Sequence, residues 1–273
     1  MFIVSCANIK YVNRFEGGNI VNEVLEQIHN RKSMRVFENR EIGYETKKEI
    51  LDAAIAAPTA GAMMLYSIID VTDKELKEKL AVFCDNQSFI AKAHMVLVFV
   101  ADYQKWYDTF YFENCNPKTP GEGDILLACA DTIIAAQNTV VAAESLGVGS
   151  CYIGDIIENY EEITKLLGLP DYVLPACMVV YGYPAEAQKS RKKPARFDKQ
   201  YVVFENKYKR FTKDELTEMQ NSRNEKAGLG KRNISEDIKA FCKRKYMSDF
   251  AKEMNRSADK YLDKFRRKDN TTL

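Results

Sequence analysis

Between Ile125 and Leu146 the chain is apolar or small almost without a break, and Gly147 follows at once. Such a run forms a helix that is apolar on nearly all sides, with the glycine as its C-terminal cap. A helix of that kind has no solvated face to offer. It belongs at the centre of a core or against a second subunit, and the remaining elements must be arranged around it. Asp131, Gln137, Asn138 and Glu144 interrupt the run too often for it to span a membrane.

On either side, apolar runs of strand length alternate with amphipathic ones. Val21, Val24, Leu25 and Ile28 form a helical stripe, and residues 44–57 predict a second helix stopped by Pro58. Strands are expected at Ser67–Val71, Met95–Ala101, Ser150–Ile153 and Val173–Tyr181, and helices at Asp73–Cys84 and Tyr160–Leu167. The aromatic-rich stretch Asp102–Asp124 reads as a long irregular segment, the kind that forms lids or binding loops. After Pro184 the character changes: a basic run, a strand-like Tyr201–Phe204, then charged helices over 212–222 and 235–266. These helices carry too little apolar surface to stand alone. The pattern predicts one α+β domain, with a core over residues 21–200 and an arm over 201–273 that belongs to the same domain and wraps a second subunit. Residues 1–20 are expected to be a non-native extension. They lack periodicity and a signal-peptide layout, and Glu16-Gly17-Gly18-Asn19-Ile20-Val21 matches what a purine-rich ribosome-binding sequence and a GTG start would encode. The intact mass of the protein from its native host tests this.

Composition removes several kinds of chemistry. A formal charge of +1 over 273 residues leaves no global field for nucleic acid or a membrane, so basic residues matter only as local patches. Cys6, Cys84, Cys115, Cys129, Cys151, Cys177 and Cys242 contain no CxxC pair. Their odd number, with no secretory signal, reads as reduced thiols of a cytoplasmic protein. His29 and His94 make no ligand pattern, so no metal site is expected, and metal hydrolysis and Ser/His/Asp catalysis are disfavoured.

Two local patches stand out. One is Arg31-Lys32-Ser33-Met34-Arg35, and the other is Lys189-Ser190-Arg191-Lys192-Lys193-Pro194-Ala195-Arg196. Guanidinium forks, ammonium groups and a serine hydroxyl are the donors that hold a phosphate dianion. If the fold joins the clusters, they close on one phosphoryl group. The competing reading is that they offset a helix dipole or face solvent.

The first patch is followed by Ala57-Pro58-Thr59 and the loop to Ser67, then by Asn86-Gln87 ahead of an apolar strand. Next come Ala143-Glu144-Ser145-Leu146-Gly147-Val148-Gly149 leading into Tyr152-Ile153-Gly154, and last Lys193-Pro194-Ala195-Arg196 with Glu205-Asn206. With these motifs in this order over residues 20–265, the chain resembles the FMN-dependent nitroreductase family, especially its NADPH-type oxygen-insensitive branch and the related flavin reductases. The resemblance implies a central mixed sheet flanked by helices, with an extended C-terminal arm embracing a second subunit. It also implies a homodimer with FMN at the subunit interface, NADPH or NADH as electron donor and a small-molecule acceptor: a nitroaromatic, a quinone or free flavin. Arg31, Lys32, Ser33, Arg35, Lys193 and Arg196 would then hold the phosphate and ribityl end. Thr59, Gly61, Met64, Gln87, Tyr152, Ile153 and Gly154 would border the isoalloxazine. No side chain is expected to act as a catalyst, because the flavin carries the hydride chemistry.

The departures are specific. Ala62 and Met64 stand where the family usually has Asn and Gln, so two amides are missing from the flavin loop. Asp155 stands where a second glycine is common, and it either faces the flavin or caps the next turn. Ala195 is an extra residue in the phosphate motif, which leaves Arg191, Lys192 and Lys193 as alternatives. Tyr66, Trp106 and Phe110, with Tyr107, Tyr111 and Phe112, are candidates for an acceptor-binding wall or for a dimer interface. Arg232, with Arg223, Lys226 and Lys231, is a candidate contact for the extra phosphate of NADPH. The alternative function is a flavin-binding protein with low turnover, a sensor or store.

Overall fold

The computed structural model describes residues 14–16, 19–230 and 232–266. The elements, in chain order, begin with a small hairpin of β1 (Arg14–Glu16) and β2 (Asn19–Val21), then α1 (Glu23–Asn30), α2 (Tyr44–Ile55), β3 (Tyr66–Asp70) and α3 (Lys74–Phe83). They continue with β4 (Met95–Asp102), α4 (Gln104–Phe112), α5 (Glu122–Ser145), β5 (Gly149–Ile153), α6 (Tyr160–Leu167) and β6 (Val173–Gly182). After the short α7 (Glu186–Lys189) come α8 (Lys213–Ala227), α9 (Ile234–Phe241) and α10 (Asp249–Leu262). The other residues of the expected 1–20 extension lie outside the described residues.

The main sheet has the order β3-β4-β6-β5. Each of its pairings is antiparallel, with Ile68 opposite Phe99, Val98 opposite Met178 and Tyr152 opposite Val179. The expected α+β architecture stands, but its sheet is antiparallel rather than mixed among the described residues. The expectation failed on direction because a strand covered on both faces is a continuous apolar run whichever way its neighbours point. Alternation along β4 and β6 separates two cores. Val96, Val98, Val100, Met178 and Val180 pack with Leu80, Ile156 and Ile163, on the side of α3 and α6. Met95, Leu97, Phe99, Val179 and Tyr181 pack with Ala136, Val140 and Ala143 of α5 and Ile50 of α2.

α5 therefore fills the second layer, and it begins earlier than the apolar run because Asp124 accepts a hydrogen bond from the Gly121 N–H at 2.8 Å. Its opposite side exposes a stripe of Leu126, Leu127, Ile133 and Ile134 at 69, 48, 42 and 40%.

Three expected elements are corrected. Asp102–Asp124 contains α4, since Tyr103, Trp106, Tyr107 and Phe110 recur at helical spacing, and Asp102 Oδ1 accepts from the Lys105 N–H at 3.2 Å. Tyr201–Phe204 forms no strand. Lys199–Tyr201 is a 3-10 turn, and Tyr201 and Phe204 pack on Phe211 at 5.6 Å between ring centroids. The long helix over 235–266 is broken into α9, a π-helical turn at Cys242–Tyr246, and α10 with Ser248 as its cap. α10 packs on its own subunit: Tyr261 meets Tyr160 at 4.7 Å, Arg256 grips Glu161 with both nitrogens at 2.9 and 2.8 Å, and Phe265 is buried in the core beyond.

Candidate functional site

The first basic cluster is placed by a helix end and a close approach. Asn22 caps α1 by accepting from the Leu25 N–H at 2.9 Å, and the helix stops where Arg31 turns into extended backbone. The chain then runs along the sheet edge, with Met34 N–H donating to Ser150 O at 2.9 Å and Glu38 N–H to Tyr183 O at 2.8 Å. Two glycines allow this. A Cβ at Gly149 would lie 2.6 Å from Met34 Cγ, and one at Gly182 would lie 2.6 Å from Phe37 Cγ.

The second cluster docks on the first across more than 150 residues of sequence. Lys32 Nζ donates to the carbonyls of Lys189 and Arg191 at 2.6 and 2.5 Å, Arg191 Nη2 donates to Ser33 O at 2.9 Å, and Lys193 Nζ donates to His29 O. Lys32 is thus a tether between the clusters. Lys192 reaches the Lys226 carbonyl on α8 instead, at 3.5 Å, so of the three alternatives Arg191 and Lys193 are the ones whose side chains meet the first run. A cavity of about 540 Å³ lies at the junction, lined by His29, Lys32, Glu144, Lys189 and Lys193 among others.

The junction is crowded with cations. Burial, then the Arg196 and Arg31 cations, push the Lys193 ammonium below its ordinary range, against Glu144. Burial raises the Glu144 carboxyl, while Arg31, Lys193 and Lys32 pull it down. Burial also raises the Cys151 thiol of β5, with Arg35, Ser33, Arg31 and Arg191 opposing. Arg31 Nη1 is buried with no hydrogen-bond partner. A buried donor of a charged group is costly unless something accepts from it.

The loop expected to border a ring is held from inside by Asp131. Its carboxylate accepts from the Thr59 hydroxyl, from Ala60 N–H at 3.0 Å and from Leu65 N–H at 3.3 Å, and Thr59 Oγ1 in turn accepts from Met64 N–H at 2.9 Å. Gly61, Ala62 and Met64 all take left-handed backbone, at φ 56, 58 and 49°. That conformation suits glycine and asparagine, so Ala62 and Met64 carry strain there. From outside, Trp106 Nε1 donates to Met63 O at 2.7 Å and Lys105 Nζ to Tyr66 O at 2.8 Å.

Gln87, Tyr152, Ile153 and Gly154 gather at the other end of β5. Gln87 Nε2 donates to Asp155 Oδ2 at 2.6 Å and to Cys84 O at 2.9 Å. Arg35 lies 5.9 Å from the Phe89 ring, which joins this segment to the basic junction. The Ile153 side chain is buried in the core, Gly154 is open, and Tyr152 OH donates to Gln137 Oε1 at 3.3 Å.

The 59–65 loop is not brought to the basic junction. It sits at Asp131, whereas the junction sits at Glu144, roughly 20 Å further along α5 at about 1.5 Å per residue. The expected acceptor and dinucleotide groups are also spent elsewhere. Tyr66 is buried with its hydroxyl on Ala54 O at 2.8 Å, and Trp106 stacks on Phe110 at 5.4 Å while holding the loop. Arg232 pairs with both oxygens of Asp237 at 2.6 and 2.8 Å, Lys226 pairs with Asp198, and Arg223 covers Phe197 at 4.9 Å. Lys231 lies outside the described residues.

Sequence reasoning passed over Asp131 as a mere interruption, although a lone carboxylate in an apolar helix is itself a signal, because a buried charge needs partners. No signal pointed to the pairing of Gln87 with Asp155 or to the buried Glu158 behind it.

This geometry has relatives. A model of the Nitroreductase family matches residues 28–183. The FMN reductase (NADPH) of Bacillus subtilis is 33% identical over 246 residues, covering 85% of this chain and 98% of the relative. The oxygen-insensitive NADPH nitroreductase of Salmonella typhimurium is 33% identical over 189 residues, covering 69 and 75%. Among solved structures, the NADPH:FMN oxidoreductase from Vibrio harveyi complexed with NAD+ superposes with a TM-score of 0.74 at 27% identity, covering 88% of this chain and 98% of that one. With its motifs in order, its fold matched over 98% of the Vibrio harveyi structure and its family segment spanning more than half the chain, the protein belongs to the nitroreductase family.

Proposed function

We propose that the protein is an FMN-dependent NAD(P)H oxidoreductase that passes electron pairs, in ping-pong fashion, to nitroaromatic, quinone or flavin acceptors. The observation that carries this is the buried, unpartnered Arg31 Nη1 within a crowd of cations. A phosphate dianion supplies the missing acceptor and relieves the mutual repulsion of Arg31, Lys193 and Arg196. Arg31, Ser33, Arg35, Arg191, Lys193 and Arg196 would hold that phosphate, with Lys32 tying the two segments together. Gln87 and the backbone of Tyr152–Gly154 would border the ring. When bound, FMN takes a hydride from the nicotinamide and gives it to the acceptor. The protein supplies orientation, charge and exclusion of water.

The site is completed by a second copy. The 59–65 loop and the basic junction lie roughly 20 Å apart along α5, and the exposed Leu126, Leu127, Ile133 and Ile134 form one stripe on that helix. Pairing the stripe about a two-fold axis buries it against its own copy and brings a second subunit's residues alongside α5. The arm supports the same reading only in part, since α10 stays on its own subunit and α8 and α9 are the pieces free to reach across. The described cysteines are all thiols, which fits a cytoplasmic, reducing compartment.

The visible spectrum of the purified protein, recorded anaerobically, tests the reading. The expected outcome is a flavin band that bleaches with NADPH and returns with a nitroaromatic or quinone. A bound flavin that NADPH does not bleach would favour the sensor or store, and failure to take up FMN would remove the phosphate site altogether.

A further inference from the structure

Gln87 follows a turn in which Asp85 and Asn86 both have left-handed backbone, at φ 60 and 53°, and its own N–H donates to Ala81 O at 2.9 Å. Its backbone is therefore pinned. The side-chain amide has two N–H donors, and both are used, one on Cys84 O and one on Asp155 Oδ2. Rotating the amide by half a turn would set its oxygen against a carbonyl and a carboxylate, two acceptors, and lose both bonds. Only Oε1 remains to face a ligand. The turn that carries Asp155 is closed by the Glu158 N–H, which donates to Asp155 O at 3.1 Å, and Glu158 is buried behind it.

We propose that Asp155 is a positioning residue that locks Gln87 as an acceptor-only group, so that the site selects the N3–H donor of the flavin's pyrimidine ring. The proposal rests on the flavin reading above and adds to it a role for a residue at which this chain departs from the usual glycine. A free glutamine amide can turn either end to a ligand, and it can meet the flavin carbonyls as readily as the N–H between them. With Asp155 present that choice is gone. A flavin methylated at N3 offers no donor to Oε1, so it loses the bond that the lock favours.

Two measurements test this. In the apo protein, the side-chain amide protons of Gln87, identified by their loss in Gln87→Met, should be shifted downfield and slow to exchange. The proton donated to Asp155 should lose both properties in Asp155→Ala and keep them in Asp155→Asn, whose carbonyl still accepts, while the proton on Cys84 O keeps its bond in both. In the second, FMN and 3-methyl-FMN are titrated by fluorescence quenching. The wild type should prefer FMN by about tenfold. Asp155→Ala should bring the two flavins to within about threefold, and Asp155→Asn should restore most of the preference. FMN binding without that preference, or a preference that Asp155→Ala leaves intact, overturns the lock while the flavin reading stands. Failure of the wild type to bind FMN, even with the amide signature present, overturns the flavin reading and the selection with it.

Discussion

At the scale of single residues, two buried carboxyls do opposite things. Asp131 is fully partnered and organises a loop of strained backbone, so Asp131→Ala leaves the Thr59 hydroxyl and the Ala60 and Leu65 N–H groups without an acceptor. A loss of about 2–4 kcal/mol in urea unfolding is expected, with a smaller effect for Thr59→Val, which removes only the hydroxyl. Glu158 is instead crowded by other acids. Burial, then Asp155, Asp85 and Glu253, raise its carboxyl to about 7. The Cys84 thiol is raised as well, by burial first, and the Arg256 guanidinium is already held by Glu161 and Glu253. A carboxyl raised on folding binds its proton more tightly in the native state, so its contribution is full below the unfolded value near 4.5 and is lost as pH rises through about 7. Glu158→Gln removes that titration at nearly constant side-chain volume. Thermal unfolding should therefore show the variant more stable than the wild type at pH 8, by on the order of 1–2 kcal/mol, and nearly equal to it at pH 5.

At the scale of elements, the site depends on how closely an extended segment can lie on the sheet. Residues 31–38 carry half of the basic junction, and Gly149 and Gly182 leave the room they occupy. Gly182→Ala would drive a Cβ into the Phe37 ring, at 2.6–2.9 Å from its nearest atoms, and lift the segment off β6. The expected result is a loss of about 1–3 kcal/mol in stability together with weaker FMN binding by equilibrium dialysis. Unchanged flavin binding in a destabilised variant would separate the segment's packing from the site. α4 belongs to this scale too. Its stripe of Tyr103, Trp106, Tyr107 and Phe110 was readable at helical spacing, but the surrounding Asn, Pro and Tyr residues made the whole stretch look irregular.

At the scale of the whole molecule, the proposed pairing of the exposed α5 stripe would tie assembly to cofactor retention. Ile134→Glu puts a charge at one end of that stripe and should shift sedimentation velocity from dimer to monomer. It should also lower FMN retention by at least about tenfold, if each site draws its loop from the other subunit. Retention of flavin by a monomer would place the whole site within one chain. Much of this organisation is local and could be read directly. The apolar runs of β4 and β6, the helix of α5 with Gly147 beyond it, and the two basic clusters are periodicities and side-chain chemistries that do not depend on distant partners. Direction and pairing are different in kind. Whether β3, β4, β6 and β5 run parallel or antiparallel, whether Tyr201–Phe204 finds a sheet edge, and whether Arg232 is free or bound to Asp237 depend on which groups meet after the chain has folded. The same holds for Gln87 and Asp155, which stand 68 residues apart. The sequence carries the donors and acceptors of that pair, but only the packing of the turn after α3 against the end of β5 brings them within 2.6 Å, because hydrogen-bond geometry is a property of positions in space and not of residue types.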